Sequence, residues 1–265
     1  MKKKLADMIA NTKNKYEWKY CSLGGITRVT ITSGEDIAHL AELDQKMWSV
    51  LSCPVKGLEL DERTLDLIDY DRDGNIIRFL IRRVGPGTEK LSELKSSDTL
   101  NVILPLGNGF VFRNQSVQRP LLVGGGVGIA PLLFLGREMK ACGIEPTFLF
   151  GGREKCNLLR MGEYSNLGRV FATTEDGSFG QKGFVTDHSL LEEEQFDYIF
   201  SCGPTPMMKA VAGFASEHGI GCQVSLEHRM ACGIGACLCC VEETKSGNVC
   251  VCKDGPVFTT DKLLW

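Results

Sequence analysis

From residue 26 the chain sets short apolar runs between polar turns: Ile26-Thr-Arg-Val-Thr-Ile31, Leu65-Asp-Leu-Ile68, Ile76-Ile-Arg-Phe-Leu-Ile81 and Leu100-Asn-Val-Ile-Leu104. Runs of this length, rich in β-branched residues, predict strands, and Asp73-Gly74 between two of them signals a hairpin. Several short strands at this spacing predict a small antiparallel β-barrel, with an open sheet as the other arrangement of the same pattern. Residues 1–20 read as a short amphipathic or frayed extension that carries no chemistry.

Near Arg119 the period changes. Pro120-Leu-Leu-Val-Gly-Gly-Gly126 is a short apolar strand running into a Gly-rich turn, and an apolar helical stretch follows from Ile129 to Cys142. Strand-like runs then recur at Thr147–Phe150, Arg169–Ala172 and Tyr198–Cys202, and a helix is predicted from Thr205 to His218. Alternation of strand and helix predicts a parallel, doubly wound α/β sheet. The expected organisation is therefore multidomain: an extension (1–20), a β-barrel (21–114), an α/β nucleotide domain (115–224) and a small Cys-rich subdomain (225–265).

At 265 residues the chain is long enough for more than one core. Its hydrophobic fraction of 43% is ordinary, and no run of eighteen apolar residues predicts a membrane span. A net charge of −3 argues against nucleic acid as a partner. The N-terminal Met-Lys-Lys-Lys has no continuous apolar segment behind it, so no signal peptide is expected. Twelve cysteines without one predict a reducing, cytoplasmic setting and metal or redox use rather than disulfides.

The cysteines also supply the sharpest motif. Cys232-Gly-Ile-Gly-Ala-Cys237-Leu-Cys-Cys240, with Cys252 further on, has the Cys-x4-Cys-x2-Cys spacing of a plant-type 2Fe–2S site. Two irons need two thiolates each, so one tight loop must wrap them. Gly233 and Gly235 permit that wrapping and let backbone N–H groups face the sulfurs. A structural zinc site would show a second Cys-x2-Cys knuckle, which Cys250-x-Cys252 is not. Cys239 and Cys250 are surplus to a four-ligand site. Cys252 is the expected fourth ligand because it opens a Cys-Lys-Asp-Gly-Pro turn, with Cys250 as its substitute. The four His residues show no ligand spacing.

Two Gly-rich stretches follow predicted strands. Gly124, Gly125, Gly126 and Gly128 lie where strand passes into helix, where backbone can approach a pyrophosphate at a helix N-terminus. This is not the Rossmann Gly-x-Gly-x-x-Gly, and a bare tight turn could have the same sequence. Cys202, Gly203 and Pro204 end the last predicted parallel strand, the side on which open α/β sheets bind ligands. Cys202 is the candidate to pack against a nicotinamide ring; a buried structural thiol is the alternative. Gly85, Gly87 and Thr88 are candidates for a second diphosphate or an ordinary β-turn, and Arg63 for a phosphate clamp or a solvated side chain.

Read together, these stretches resemble the electron-transfer subunits of class 1B dihydroorotate dehydrogenases, within the ferredoxin–NADP reductase superfamily. The likeness rests on Gly85-x-Gly-Thr88, Pro105-Leu-Gly-Asn-Gly-Phe110, Leu122–Gly128, Asp176-Gly-Ser-Phe-Gly180, Gly183-Phe-Val-Thr-Asp187, Ser201–Met207, Glu227–Cys237 and Cys252–Phe258. It implies an FAD barrel, an NAD domain and a 2Fe–2S subdomain. It further implies electron flow between NAD(H), FAD and the cluster, to or from the FMN of a dihydroorotate dehydrogenase catalytic subunit in pyrimidine synthesis, with a heterotetramer as the assembly. Aligned back from Gly85, the family's flavin-binding Arg-Pro-x-Ser falls on Arg63, Thr64, Leu65 and Asp66, so Arg63 matches while Thr64 and Asp66 depart. A carboxylate beside flavin phosphates is repulsive unless paired. Two other functions stay open: an NAD(P)H reductase subunit that keeps this wiring and serves a different oxidoreductase, and, with Asp66 blocking flavin, a flavin-free iron–sulfur assembly or sensor subunit.

Overall fold

The computed structural model describes the backbone strands at 16–23, 26–33, 66–71 and 76–82, residues 86, 91, 93 and 94, and residues 107–113 and 116–265. Two compact units divide the chain. One takes residues up to 108 together with 228–241 and 250–254; the other takes 109–227, 242–249 and 255–265.

In the first unit, β1 (Tyr16–Leu23), β2 (Ile26–Ser33), β3 (Asp66–Asp71) and β4 (Ile76–Arg82) form an antiparallel sheet in the order β1-β2-β4-β3. β3 and β4 pair antiparallel with Asp71 opposite Ile76, while Asp73-Gly74 between them lies outside the described residues. Phe79 and Leu80 in β4 are buried. β1 corrects the reading of the first twenty residues as a frayed extension. Tyr16 to Leu23 pair residue for residue with Ser33 to Ile26, and the alternation of Tyr16, Trp18 and Tyr20 with Glu17 and Lys19 is a strand pattern in its own right. The run at Leu100–Leu104 lies outside the described residues.

The second unit holds a seven-stranded sheet in the order β13-β10-β9-β5-β6-β7-β8. Its elements are β5 (Pro120–Gly125), α1 (Ala130–Ala141), β6 (Thr147–Gly152), α2 (Met161–Ser165), β7 (Arg169–Thr174), β8 (Gln181–Lys182), α3 (Leu190–Glu193), β9 (Tyr198–Cys202), α4 (Thr205–Glu217) and β10 (Gly221–Ser225). Strands β5 to β10 run parallel, as the alternating pattern predicts. After β10 come β11 (Val241–Thr244), β12 (Gly247–Cys250), the short helix α5 (Val251–Asp254) and β13 (Val257–Thr259), which joins the sheet antiparallel to β10.

Both faces of this sheet are covered, and so its strands read as continuous apolar runs. Leu121, Val123, Leu149 and Ile199 line one face with Val211 and Phe214 of α4. On the other face, Gly136 of α1 has no side chain, and a Cβ there would sit 2.5 Å from the Phe148 ring. That helix can therefore lie close on the sheet. Phe148 and Phe150 pack edge-on against Tyr164, with ring centroids 5.3 and 4.6 Å away. The Tyr164 hydroxyl donates to the Ile129 carbonyl at 2.9 Å, tying α2 to the start of α1. Burial raises its pKa, so it stays a protonated donor. Chain segment 109–113 is fastened to the same unit by Gln223. The Gln223 amide accepts the Val111 N–H at 2.9 Å and donates to the Val111 carbonyl at 2.7 Å.

Removing the Tyr164 hydroxyl should leave the aromatic packing intact. Tyr164→Phe is expected to cost about 1 kcal/mol, the net worth of one buried hydrogen bond, read as a lower urea midpoint with an unchanged slope.

Candidate functional site

The chain order places a topological switch point between β5 and β9. From β5 it proceeds outward through β6, β7 and β8, then returns to the other side of β5 with β9 and β10. Ligands of open α/β sheets bind outside the strand carboxyl ends at such a point. Both predicted Gly-rich stretches meet there, since Gly124 lies opposite Cys202 in the sheet register. Helix α1 starts just after the first stretch, with Pro131 in its first turn; α4 starts just after the second, with Pro206 there. Neither first turn carries an acidic residue, which leaves both positive helix ends open to an anion.

The glycines have a nearer task than phosphate contact. A Cβ on Gly128 would lie 2.6 Å from the Cys202 carbonyl carbon and oxygen and from Gly203 Cα, so the turn after β5 and the turn after β9 abut backbone to backbone. Gly203, at φ +155, would in turn place a Cβ 2.9 Å from Gly125 N. Gly124 is closed in by Ile129, Leu132 and Phe150. Gly126 differs: its φ is +59 and nothing lies within 4 Å of a Cβ built there. Of the predicted glycines, that one faces open space. Cys202 is buried beneath this junction, 6% exposed.

The cysteine loop is built from backbone turns. Gly233 and Gly235 take positive φ values of 68° and 75°, as expected, and Leu238 does so at 60°. The sequence did not single out Leu238, where a left-handed backbone is costly for a branched side chain. The two glycine turns aim amides inward. Ala236 and Cys237 direct their N–H groups at the Cys232 sulfur (3.2 and 3.4 Å), and Gly235 directs its own at the Cys252 sulfur (3.2 Å). The hairpin β11–β12 returns the chain, so that Val251 N–H bonds the Cys240 carbonyl at 2.8 Å and Cys252 N–H points at the Cys240 sulfur at 3.3 Å.

The four predicted thiols are thereby gathered two by two. Cys232 is hydrogen-bonded to Cys237, and Cys252 to Cys240, with Cys232 close enough to Cys252 to act on its charge. Among the described residues no three His, Cys, Asp or Glu side chains converge on a single-ion site. Two pairs suit a centre with two irons, each asking for two thiolates. Burial alone would raise the Cys232 pKa, but the amide and Cys237 hydrogen bonds outweigh it and bring it down to about 7. Cys252 is pushed up to about 12, first by burial and then by donating to Cys240. The two surplus cysteines sit differently: Cys239 is exposed, and the Cys250 thiol turns to the Gly235 carbonyl at 3.7 Å.

Of the remaining candidates, Arg63, Thr64, Leu65, Gly85, Gly87 and Thr88 lie outside the described residues, while Asp66 opens β3 opposite Leu80. Arg153, at the end of β6, accepts the Asp176 N–H on its carbonyl at 3.2 Å. Glu175 is bonded likewise to Gly152 at 3.0 Å, so two carboxylates stand at this strand end. The hydroxyl and the amide of Ser178 both donate to Asp176 and hold it below the usual carboxylate range.

Comparison with known proteins agrees with this geometry. Residues 227–264 match the family described as the iron–sulfur cluster binding domain of dihydroorotate dehydrogenase B, and residues 122–213 match the oxidoreductase NAD-binding domain. The "Probable dihydroorotate dehydrogenase B (NAD(+)), electron transfer subunit" of Methanocaldococcus jannaschii is 45% identical, over 70% of this chain and 71% of that protein. The dihydroorotate dehydrogenase B (NAD(+)) electron transfer subunit of Clostridium acetobutylicum is 39% identical, over 74% and 77%. Among solved structures, that of an NADH-dependent reduced ferredoxin–NADP oxidoreductase superposes with a TM-score of 0.82 at 30% identity, covering 95% of this chain and 90% of that one. A paired-thiol loop that follows a parallel nucleotide sheet, in a sequence this close to those relatives, places the chain in the family of dihydroorotate dehydrogenase B electron transfer subunits.

Proposed function

We propose that this chain carries electrons between NAD(H), FAD and a 2Fe–2S cluster, to or from the FMN of a dihydroorotate dehydrogenase catalytic subunit, as a cytoplasmic component of pyrimidine synthesis. The observation that carries this is the two-by-two gathering of Cys232 with Cys237 and Cys240 with Cys252, ringed by amides aimed at sulfur. Flavin, when bound, takes a hydride as an electron pair and releases electrons singly, which the cluster carries one at a time. The chain's own residues hold these groups. The open side of Gly126, which begins the 3-10 turn (Gly126–Ile129) leading into α1, receives the dinucleotide phosphates, alongside Gly124, Gly125, Gly128, Gly203 and Pro204. Cys202 forms the floor for the nicotinamide ring. The β1–β4 sheet, which begins at Tyr16, belongs to a flavin barrel that continues to residue 114. Arg63, Thr64, Leu65, Asp66, Gly85, Gly87 and Thr88 are the residues assigned to FAD by the family pattern. The nucleotide domain covers 115–224 and the cluster subdomain 225–265. Two such chains with two catalytic subunits make the heterotetramer.

The carboxylates Glu175 and Asp176 favour NAD over NADP, because a 2′-phosphate at this strand end would meet like charge. A second reading, a reductase subunit for a different oxidoreductase, is favoured by the close superposition on the NADH-dependent ferredoxin–NADP oxidoreductase. Co-purification separates the two. In the first case the chain brings down an FMN protein, and the pair oxidises dihydroorotate; in the second that activity is absent.

Anaerobically purified protein is expected to contain iron, acid-labile sulfide and a flavin band that NADH bleaches. Iron and sulfide without flavin, even after incubation with FAD, would remove the flavin step and leave the assembly or sensor role. Single Cys→Ser changes at Cys232, Cys237, Cys240 and Cys252 are each expected to abolish the paramagnetic signal of the reduced cluster, while Cys239→Ser and Cys250→Ser keep it. Gly128→Ala is expected to raise the KM for NADH about tenfold by forcing the two turns apart, with thermal unfolding measured alongside to separate binding from stability.

A further inference from the structure

Asn108 lies in the first unit, more than a hundred residues ahead of the cysteine loop, yet its side chain reaches that loop's far end. The side-chain amide nitrogen donates to the Lys253 carbonyl at 3.1 Å and to the Asp254 carbonyl at 3.1 Å. Those are the last two carbonyls of α5 (Val251–Asp254). A helix end leaves its final carbonyls without partners of its own, and they are met by a cap, by water or not at all. Here a distant asparagine supplies the cap. An amide suits the task, since it presents two N–H donors; a carboxylate has none and would repel the carbonyls.

What this cap steadies is the segment that bears Cys252. Helix α5 is a single turn, too short to persist on its own hydrogen bonds. Its N-terminal side is fastened by Val251 N–H to the Cys240 carbonyl. Across the turn, Cys250 N–H donates to the Asp254 carboxylate at 2.9 Å. Its C-terminal side is held by Asn108. Between those fastenings sits Cys252, buried, with its sulfur taking the Gly235 N–H.

We propose that Asn108 is a positioning residue for the iron–sulfur centre: by capping α5 it fixes the direction in which Cys252 offers its sulfur. This rests on Cys252 being the fourth ligand, and it adds a determinant of the site from outside the Cys-rich segment. The prediction concerns the metal centre and not merely the fold. With the cap gone, α5 frays from its C-terminal end, Cys252 samples other directions, and the bond it makes to iron is opened more often.

The test compares unmutated protein with Asn108→Leu, which keeps the shape without donors, Asn108→Asp, which exchanges donors for charge, and Asn108→Ser, which keeps one. Each is loaded with cluster anaerobically. Three quantities are followed: the electron paramagnetic resonance spectrum of the reduced form, the rate of iron loss to a ferrous chelator, and the thermal midpoint. The Leu and Asp variants are expected to show shifted g-values and to lose iron about fivefold faster, the effect of losing one helix-end hydrogen bond, with Ser in between. Spectra and iron loss identical to those of the unmutated protein would overturn the proposal, as would a lowered thermal midpoint with an unshifted spectrum, which marks a purely structural staple. If the Leu variant does not fold, the Ser variant decides by the same two readouts. Absence of a 2Fe–2S spectrum from the unmutated protein would instead overturn the ligand reading beneath it, so the two failures are seen in different samples.

Discussion

The hydrogen bond from Val251 N–H to the Cys240 carbonyl closes the gap on which the metal site depends. Three of the proposed ligand thiols share one short loop, and the proposed fourth, Cys252, lies beyond it in the chain. The hairpin β11–β12 begins directly after Cys240 and ends at Cys250, so the intervening residues form a structured return and the cost of closing a flexible loop is largely removed. The hairpin tip is itself fixed, with Thr244 donating its hydroxyl to the Gly247 carbonyl at 2.6 Å. Once the return is made, the rest of the site is backbone geometry. Turns at Gly233 and Gly235 rotate amides toward sulfur, where a developing thiolate can be stabilised without a charged side chain.

The nucleotide end of the molecule follows a different rule. There the controlling contact is between two backbones, at Gly128 and the Cys202–Gly203 peptide. It brings the ends of β5 and β9 together, and with them the starts of α1 and α4. Two helix N-termini side by side turn two positive dipole ends toward one place. The thiol loop and the nucleotide sheet thus both present peptide dipoles.

Much of this was legible in the residues. The cysteine spacing announced a two-iron site because that chemistry tolerates few spacings, and the strand–helix alternation announced the parallel sheet because both of its faces are buried. Other features were hidden for definable reasons. The glycines at 124, 125 and 128 read as phosphate contacts, yet their closest demands come from side chains and from a loop on another strand; only Gly126 stands open. Such a demand exists only once β5 and β9 are neighbours. The strand Tyr16–Leu23 has its signal in alternating aromatics, but it follows a Lys-rich start whose charge masks that alternation. Asn108 carried no local signal, for its partners lie 145 and 146 positions away.

Leu238 holds its left-handed turn with its side chain 65% exposed, between two cysteines, Cys237 and Cys239, that are themselves exposed. Solvent therefore reaches the thiols on either side of Leu238, and whatever oxidant it carries reaches them too. A group held by Cys237 would share that exposure, so this flank of the loop would be the first to register dioxygen or peroxide.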